Sequence, residues 1–125
     1  MRLNPDCIRD ILLGVEENQS IDSRGKLIEL SYDDVVSFPN LSKYQSNIVY
    51  FHINLLFEQG LLIKGKQYIC DSSPRISSLS EKGYTLVDSI RSNSKWSTIK
   101  NHFIKFGTIS LPVLITFALN HTIPK

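Results

Sequence analysis

The spacing of apolar residues changes several times along the chain, and each change marks an element. Ile8, Ile11, Leu12 and Val15 follow the i, i+3, i+4, i+7 pattern of a helix with one buried face. Asn4-Pro5-Asp6 ahead of them supplies an N-cap, a proline at the first helical position and an acid that complements the helix dipole. This helix is expected to fray at 18–20. After the polar loop Asp22-Ser23-Arg24-Gly25, residues 26–30 alternate and predict a brief strand. Ser31 then caps a short helix with Asp33 and Asp34 in its first turn, ended before Pro39. The longest helical stretch is predicted over 42–59, opened by Ser42 and closed by Gly60. Its apolar face is wide: Ile48, Val49, His52, Ile53, Leu55 and Leu56. Lys43, Ser46, Asn47, Tyr50 and Asn54 line up opposite, three or four residues apart. Residues 61–70 are extended in character, Asp71-Ser72-Ser73-Pro74 is turn chemistry and 76–79 is a second strand, so a β-hairpin is predicted. Ser80 caps the next helix, whose core face is Leu86, Val87 and Ile90. Beyond a break at 92–94, residues 95–106 are helical, and Ser110 with Pro112 opens a last apolar helix to about Leu119.

This order predicts a mainly α fold with a small β-hairpin (α+β): a winged helix-turn-helix over about residues 1–92, followed by a helical extension over 93–125. Three features carry the prediction together. A short helix precedes a longer one, Leu55-Leu56-x-x-x-Gly60-Leu61-Leu62-Ile63 runs the long helix into the hairpin, and Leu79-Ser80-x-x-Gly83 sets a capped helix after it. At 125 residues the chain is one domain, able to bury a core without covalent staples, so Cys7 and Cys70 need no structural disulfide. Hydrophobic residues at 42% and charged residues at 21% exclude wholesale disorder. Arg2 is followed by Asn4, Pro5 and Asp6 rather than by the apolar run of a signal peptide, so a cytoplasmic, reducing location is expected. The apolar stretch 109–119 is about half the ~20 residues a membrane span needs, so no span is expected.

The net charge of +2 hides an asymmetry. Residues 1–58 carry five Lys/Arg against nine Asp/Glu, whereas residues 59–125 carry nine against three. From Ser89 onward Arg91, Lys95, Lys100, Lys105 and Lys125 stand without any acid, a tail that can meet a polyanion or an acidic surface. Metal binding needs clustered ligands, and His52, His102, His121, Cys7 and Cys70 show no such spacing, so no metal site is expected. His52 reads as a core histidine. Gly65 between Lys64 and Lys66 lacks the strand-to-helix context of a phosphate loop. Adjacent Asp33 and Asp34 diverge on a helix and form no catalytic pair. No enzymatic activity and no cofactor are expected.

Several segments resemble a family of short prophage-associated proteins of Gram-positive bacteria, catalogued as a domain of unknown function and related to the YjcQ-like winged-helix proteins. They are Leu3-Asn4-Pro5-Asp6-Cys7-Ile8-Arg9-Asp10-Ile11-Leu12, His52-Ile53-x-Leu55-Leu56-x-x-x-Gly60-Leu61, Leu79-Ser80-x-x-Gly83-Tyr84, Asp88-x-Ile90-Arg91 and Trp96-x-x-x-Lys100. The resemblance covers most of the chain to about Lys100. It departs where Ser80 and Gly83-Tyr84 replace the family's threonine and Gly-His, and where an apolar segment from Thr108 replaces a charged tail. It implies a phage or prophage setting and a winged-helix fold, and carries over no catalytic residue.

Two functions are weighed. In a phage-type DNA-binding regulator the amino end of the long helix reads the major groove of duplex DNA through Lys43, Gln45, Ser46, Asn47 and Tyr50, while Lys64, Lys66 and Arg75 contact the backbone from the wing. Against this, the long helix holds one cation, and duplex affinity depends on phosphate neutralisation. The alternative is a protein-interaction module binding a host or phage protein, suggested by Phe51, Phe57, Phe103, Phe106 and Phe117. A homodimer is expected through the C-terminal helices, with Trp96, Ile99, Phe103, Leu114 and Phe117 as its contacts. The rival arrangement folds these helices back on Ile8, Ile11 and Val15 of the same chain.

Overall fold

Asn4 opens the first helix as the pattern predicts. Its side chain accepts the Cys7 backbone N–H at 3.2 Å, and α1 runs Pro5–Asn18. The computed structural model describes residues 3–106 and 111–121. Among them lie α2 (Tyr32–Val36), a 3-10 turn (Pro39–Leu41), α3 (Ser46–Glu58), β1 (Leu62–Lys64), β2 (Ile76–Leu79), α4 (Glu81–Ile90), α5 (Asn93–Phe106) and α6 (Leu111–His121). The chain is therefore mostly helical with one small two-stranded antiparallel sheet, an α+β arrangement.

Two predicted boundaries are corrected. The long helix begins at Ser46 and not at Ser42, because the preceding residues are tied to α1. Asn40 donates to the Asp10 carbonyl at 2.8 Å, the Tyr44 hydroxyl donates to the Asp10 carboxylate at 2.8 Å, and the Ser42 hydroxyl turns back to the Pro39 carbonyl at 2.9 Å. Lys43 thus sits in a turn. Residues 26–30 form no strand of their own. The Asp22 carboxylate accepts the N–H groups of Arg24 and Lys26, Gly25 takes a φ of 80°, and Ile21 bridges Leu27 within the same loop. Only Leu30 reaches the sheet, exchanging two backbone hydrogen bonds with Ile76 at 2.9 and 2.7 Å.

In the hairpin, Leu62 faces Leu79 and Ile63 faces Ser78, with an irregularity between Ile63 and Lys64. Beyond the strands the arms stay paired through Gly65 and Lys66 against Arg75. Gly60, at φ 72°, ends α3 as expected, and Leu56 and Leu61 on either side of it are both fully buried.

One apolar cluster joins all of this. Ile8, Ile11, Leu12 and Val15 of α1 meet Val49, Ile53 and Leu56 of α3, Ile76 and Leu79 of β2, and Leu86 and Ile90 of α4. Each such side chain contributes roughly 1.5–3 kcal/mol by leaving water. The same cluster takes in Trp96 and Ile99 of α5 and Leu114, Ile115 and Ala118 of α6, with both helices packed on α4. Trp96, Ile99 and Leu114, expected at a homodimer interface, are thus interior to a single chain. Phe117 is half-buried, and the side chain of Phe103 lies outside the described residues. Among the described residues no helix is long and apolar enough to cross a membrane.

Candidate nucleic-acid interface

The amino end of α3 is open. Gln45 occupies the N-cap position without a side-chain hydrogen bond to the helix, and Gln45, Ser46 and Asn47 are exposed. The first-turn N–H groups therefore carry the positive end of the helix dipole with no side chain from the cap on them. Ser46, Tyr50 and Asn54 stand four apart, and this stripe leads toward the hairpin.

Two of its members are held from α2. The capping box between Ser31 and Asp34 fixes the first turn of α2, with reciprocal bonds of 2.9 and 3.0 Å. From that turn Tyr32 donates to the Asn54 side chain at 2.6 Å, and Asp33 accepts the Tyr50 hydroxyl in a short hydrogen bond. The carboxylate partner raises the Tyr50 pKa, so the phenol keeps its proton. Tyr50 reaches a DNA groove only by exchanging this bond or by using its ring.

Of the predicted cationic contacts, Lys43, expected in the groove, pairs with Asp10 at 3.2 Å and lies 5.4 Å from the centre of the Tyr44 ring. Lys64 stands 5.7 Å over the Phe57 ring. Lys66 is exposed, while its backbone N–H points to the Glu29 carboxylate. Arg75 is half-buried, 3.5 Å from Asp71 and 5.3 Å from the centre of the Tyr68 ring.

Between α2, α3 and the hairpin loop lies a cleft of about 280 Å³ lined by Tyr32, Asp33, Tyr50, Asn54, Asp71 and Arg75, among others. A second hollow of about 290 Å³ shares Tyr32, Asn54 and Pro74 with it and adds Phe57, Glu58 and Lys64. The structure thus brings Tyr50, Lys64 and Arg75 to one groove. Lys43, by contrast, is held on the α1 side by Asp10. Sequence reasoning did not assign Tyr32, Asp33, Asn54 and Asp71 to the site. The four-residue spacing of Asp71 and Arg75, and the place of Asn54 on the polar stripe, were the signals available.

Elsewhere, His52 is fully buried in α3. Its Nε2 accepts the Asn4 backbone N–H at 2.9 Å, so Nδ1 carries the proton and donates to the Ile48 carbonyl at 2.8 Å. Burial lowers its pKa, partly countered by that carbonyl. Among the described residues no cluster of three or more His, Cys, Asp or Glu could hold a metal ion.

A family model described as "Hypothetical protein (DUF2513)" matches residues 2–110. The chain belongs to this family. The match spans α1 to α5 and stops short of α6. No curated protein and no solved structure matches the chain.

Proposed function

We propose that the chain is a winged helix-turn-helix DNA-binding regulator of phage type, acting in the cytoplasm, with α3 as its reading helix and the hairpin as its wing. The observation that carries this reading is the exposed first turn of α3, uncapped by Gln45, continued by the polar stripe toward a hairpin that bears Lys64 and Lys66. The bridge between Leu30 and Ile76 supports it further. It brings one residue of the segment between α1 and α2 beside β2 of the two-stranded sheet, the place a further strand takes in a winged helix. Gln45, Ser46, Asn47 and Tyr50 are the groove contacts and Lys64, Lys66 and Arg75 serve the phosphates from the wing, while Lys43, expected at the groove, is held on the α1 side by Asp10.

Titration of random and native-operon duplex at two salt concentrations tests the reading. Binding should weaken as salt rises, with a log–log slope of about −0.9 per phosphate contacted, and Lys66→Gln should reduce that slope by about one. Absence of binding at low salt, or binding without a slope, would sink it.

A second reading has its own support. Asp33, Glu58 and Asp71 line the groove, and Lys43 and Arg75 are already engaged by carboxylates. A protein partner carrying basic side chains fits that groove, and capture of such a partner that weakens as salt rises, by a chain without DNA affinity, would favour it.

A further inference from the structure

The hairpin loop ends in a built apolar tip. Asp71 donates its backbone N–H to the Tyr68 carbonyl at 2.9 Å, closing a β-turn, and its carboxylate accepts the Tyr68 N–H at 3.2 Å. Gln67 adds a side-chain bond to the Asp71 carbonyl at 3.3 Å. Arg75 braces the turn from the other arm, pairing with Asp71 and covering the Tyr68 ring. Ile69 and Cys70 occupy the two central positions. Ile69 is completely exposed, at 107% of its reference area, and Tyr68 is 51% exposed.

A β-branched apolar side chain at the apex of a turn fixed by its own hydrogen bonds is held out in water at a cost that no contact among the described residues offsets. The arms behind it, residues 62–75, carry Lys64, Lys66 and Arg75 against the single acid Asp71. An apolar point backed by net positive charge is complementary to a polyanion with a hydrophobic interior reachable between its charged rails. Duplex DNA has that form in its minor groove, where inserted apolar wedges part a base step while cations hold the flanking phosphates.

We infer that Ile69 is such a wedge. On binding, the hairpin tip enters the minor groove beside the site read by α3, Ile69 unstacks one base step, and the duplex bends away from the tip. This rests on the DNA-binding reading and adds deformation to it: the flexible pyrimidine–purine steps become the preferred place for the wing.

The experiment uses the full chain and a duplex of about two helical turns. The duplex carries a central TA step, a donor and an acceptor dye at its ends, and 2-aminopurine beside the step. Anisotropy first establishes saturation at low salt. Wild type should raise both energy transfer and 2-aminopurine emission. Ile69→Ser, at a fully exposed position, should still saturate the duplex yet lose about half or more of both signals, as expected when the wedge is gone and the phosphate contacts stay. Lys66→Gln should weaken binding and leave the bend at saturation unchanged. Saturation without a bend, or an equal bend by Ile69→Ser, overturns the wedge and leaves the DNA reading standing. Failure of wild type to bind the duplex at all overturns both. A parallel arm with phosphatidylserine vesicles settles the competing anionic surface: vesicle binding abolished by Ile69→Ser, with DNA bending untouched, assigns the tip to a membrane surface and overturns the inference.

Discussion

His52 is an ionisable side chain placed where charge costs most, fully buried with both ring nitrogens engaged. Burial holds its pKa below the ordinary 6.5, so as pH falls the unfolded chain takes up this proton before the folded one does. The stabilisation from the neutral ring is complete above about 6.5 and is lost as pH drops through the lower folded value. The urea midpoint should therefore fall between about pH 7.5 and about pH 5.5, and His52→Gln, which keeps an acceptor for Asn4, should flatten that fall. The two thiols differ in the same way. Cys7 is buried, and burial, with Asp10 nearby, pushes its pKa up to about 12, whereas Cys70 is exposed on the hairpin turn. Mass spectrometry after brief alkylation of the native protein should show one adduct, at Cys70, and a second only in denaturant. Modification of native Cys7 would mean that α1 opens readily. The sequence marked His52 as a core histidine from its place on the apolar face. It could not reveal that the partner of Nε2 is the N-cap residue of α1, because that contact spans 48 residues.

Among elements, the segments legible in advance are those whose signals are local. The Asn4 cap, the Ser31 and Ser80 caps and the helix end at Gly60 each depend on residues a few positions apart, and each forms as predicted, whereas the hairpin turn closes over Tyr68–Asp71 and not over the predicted Asp71-Ser72-Ser73-Pro74, because the Asp71 N–H and carboxylate both bind back to Tyr68. The start of α3 was misplaced because its decisive partner is Asp10, on another helix, and residues 26–30 looked like a strand because alternation says nothing about whether a neighbour is present. Gly83 shows a tertiary demand of this kind. A Cβ there would overlap the Leu61 carbonyl oxygen, which already accepts the Ser80 N–H at 3.0 Å, so α4 can approach the start of the hairpin only with glycine. Gly83→Ala should cost about 1–3 kcal/mol in a denaturant titration, and a neutral result would mean that α4 can shift away. The joint between α1 and α5 is polar. Burial of Asp6 works to raise its pKa, but the Trp96 indole N–H at 2.9 Å and the Lys100 ammonium at 3.1 Å outweigh it and leave the carboxyl below its ordinary 3.8. Stability from this joint is present above 3.8 and lost as pH falls through the folded value, a window separate from that of His52. Trp96 is the single tryptophan, so its emission should shift red in that acid window, and Asp6→Asn should abolish the step.

At the scale of the whole molecule, the charge asymmetry is turned inward. The acidic first helix meets the basic later part of the chain, where Asp6 holds Lys100 and Glu16 holds Arg91 at 2.8 Å, and within the acidic half Asp10 holds Lys43 at 3.2 Å. Such partly exposed pairs contribute about 0–1 kcal/mol each, so their main effect is to neutralise cations that a polyanion would otherwise meet. Arg9 acts alongside them, donating to the Ile90 and Arg91 carbonyls at the end of α4 and lying 5.8 Å from the Trp96 ring. Asp6 and Arg9 tie α5 to the first helix, while Leu114, Ile115 and Ala118 of α6 join the apolar cluster against α4, which is the fold-back arrangement rather than an open pair of helices awaiting a partner. The expected outcome of light scattering is accordingly one species of 14.3 kDa in the absence of DNA. Leu114→Glu separates the two arrangements. If Leu114 is core, as its 1% exposure within one chain implies, the substitution buries an unpaired carboxylate and should unfold the extension or the whole chain. If Leu114 instead lies between two copies, the same substitution should convert a species of twice the mass into a folded monomer with an unchanged helical signal, and that result would restore the dimer.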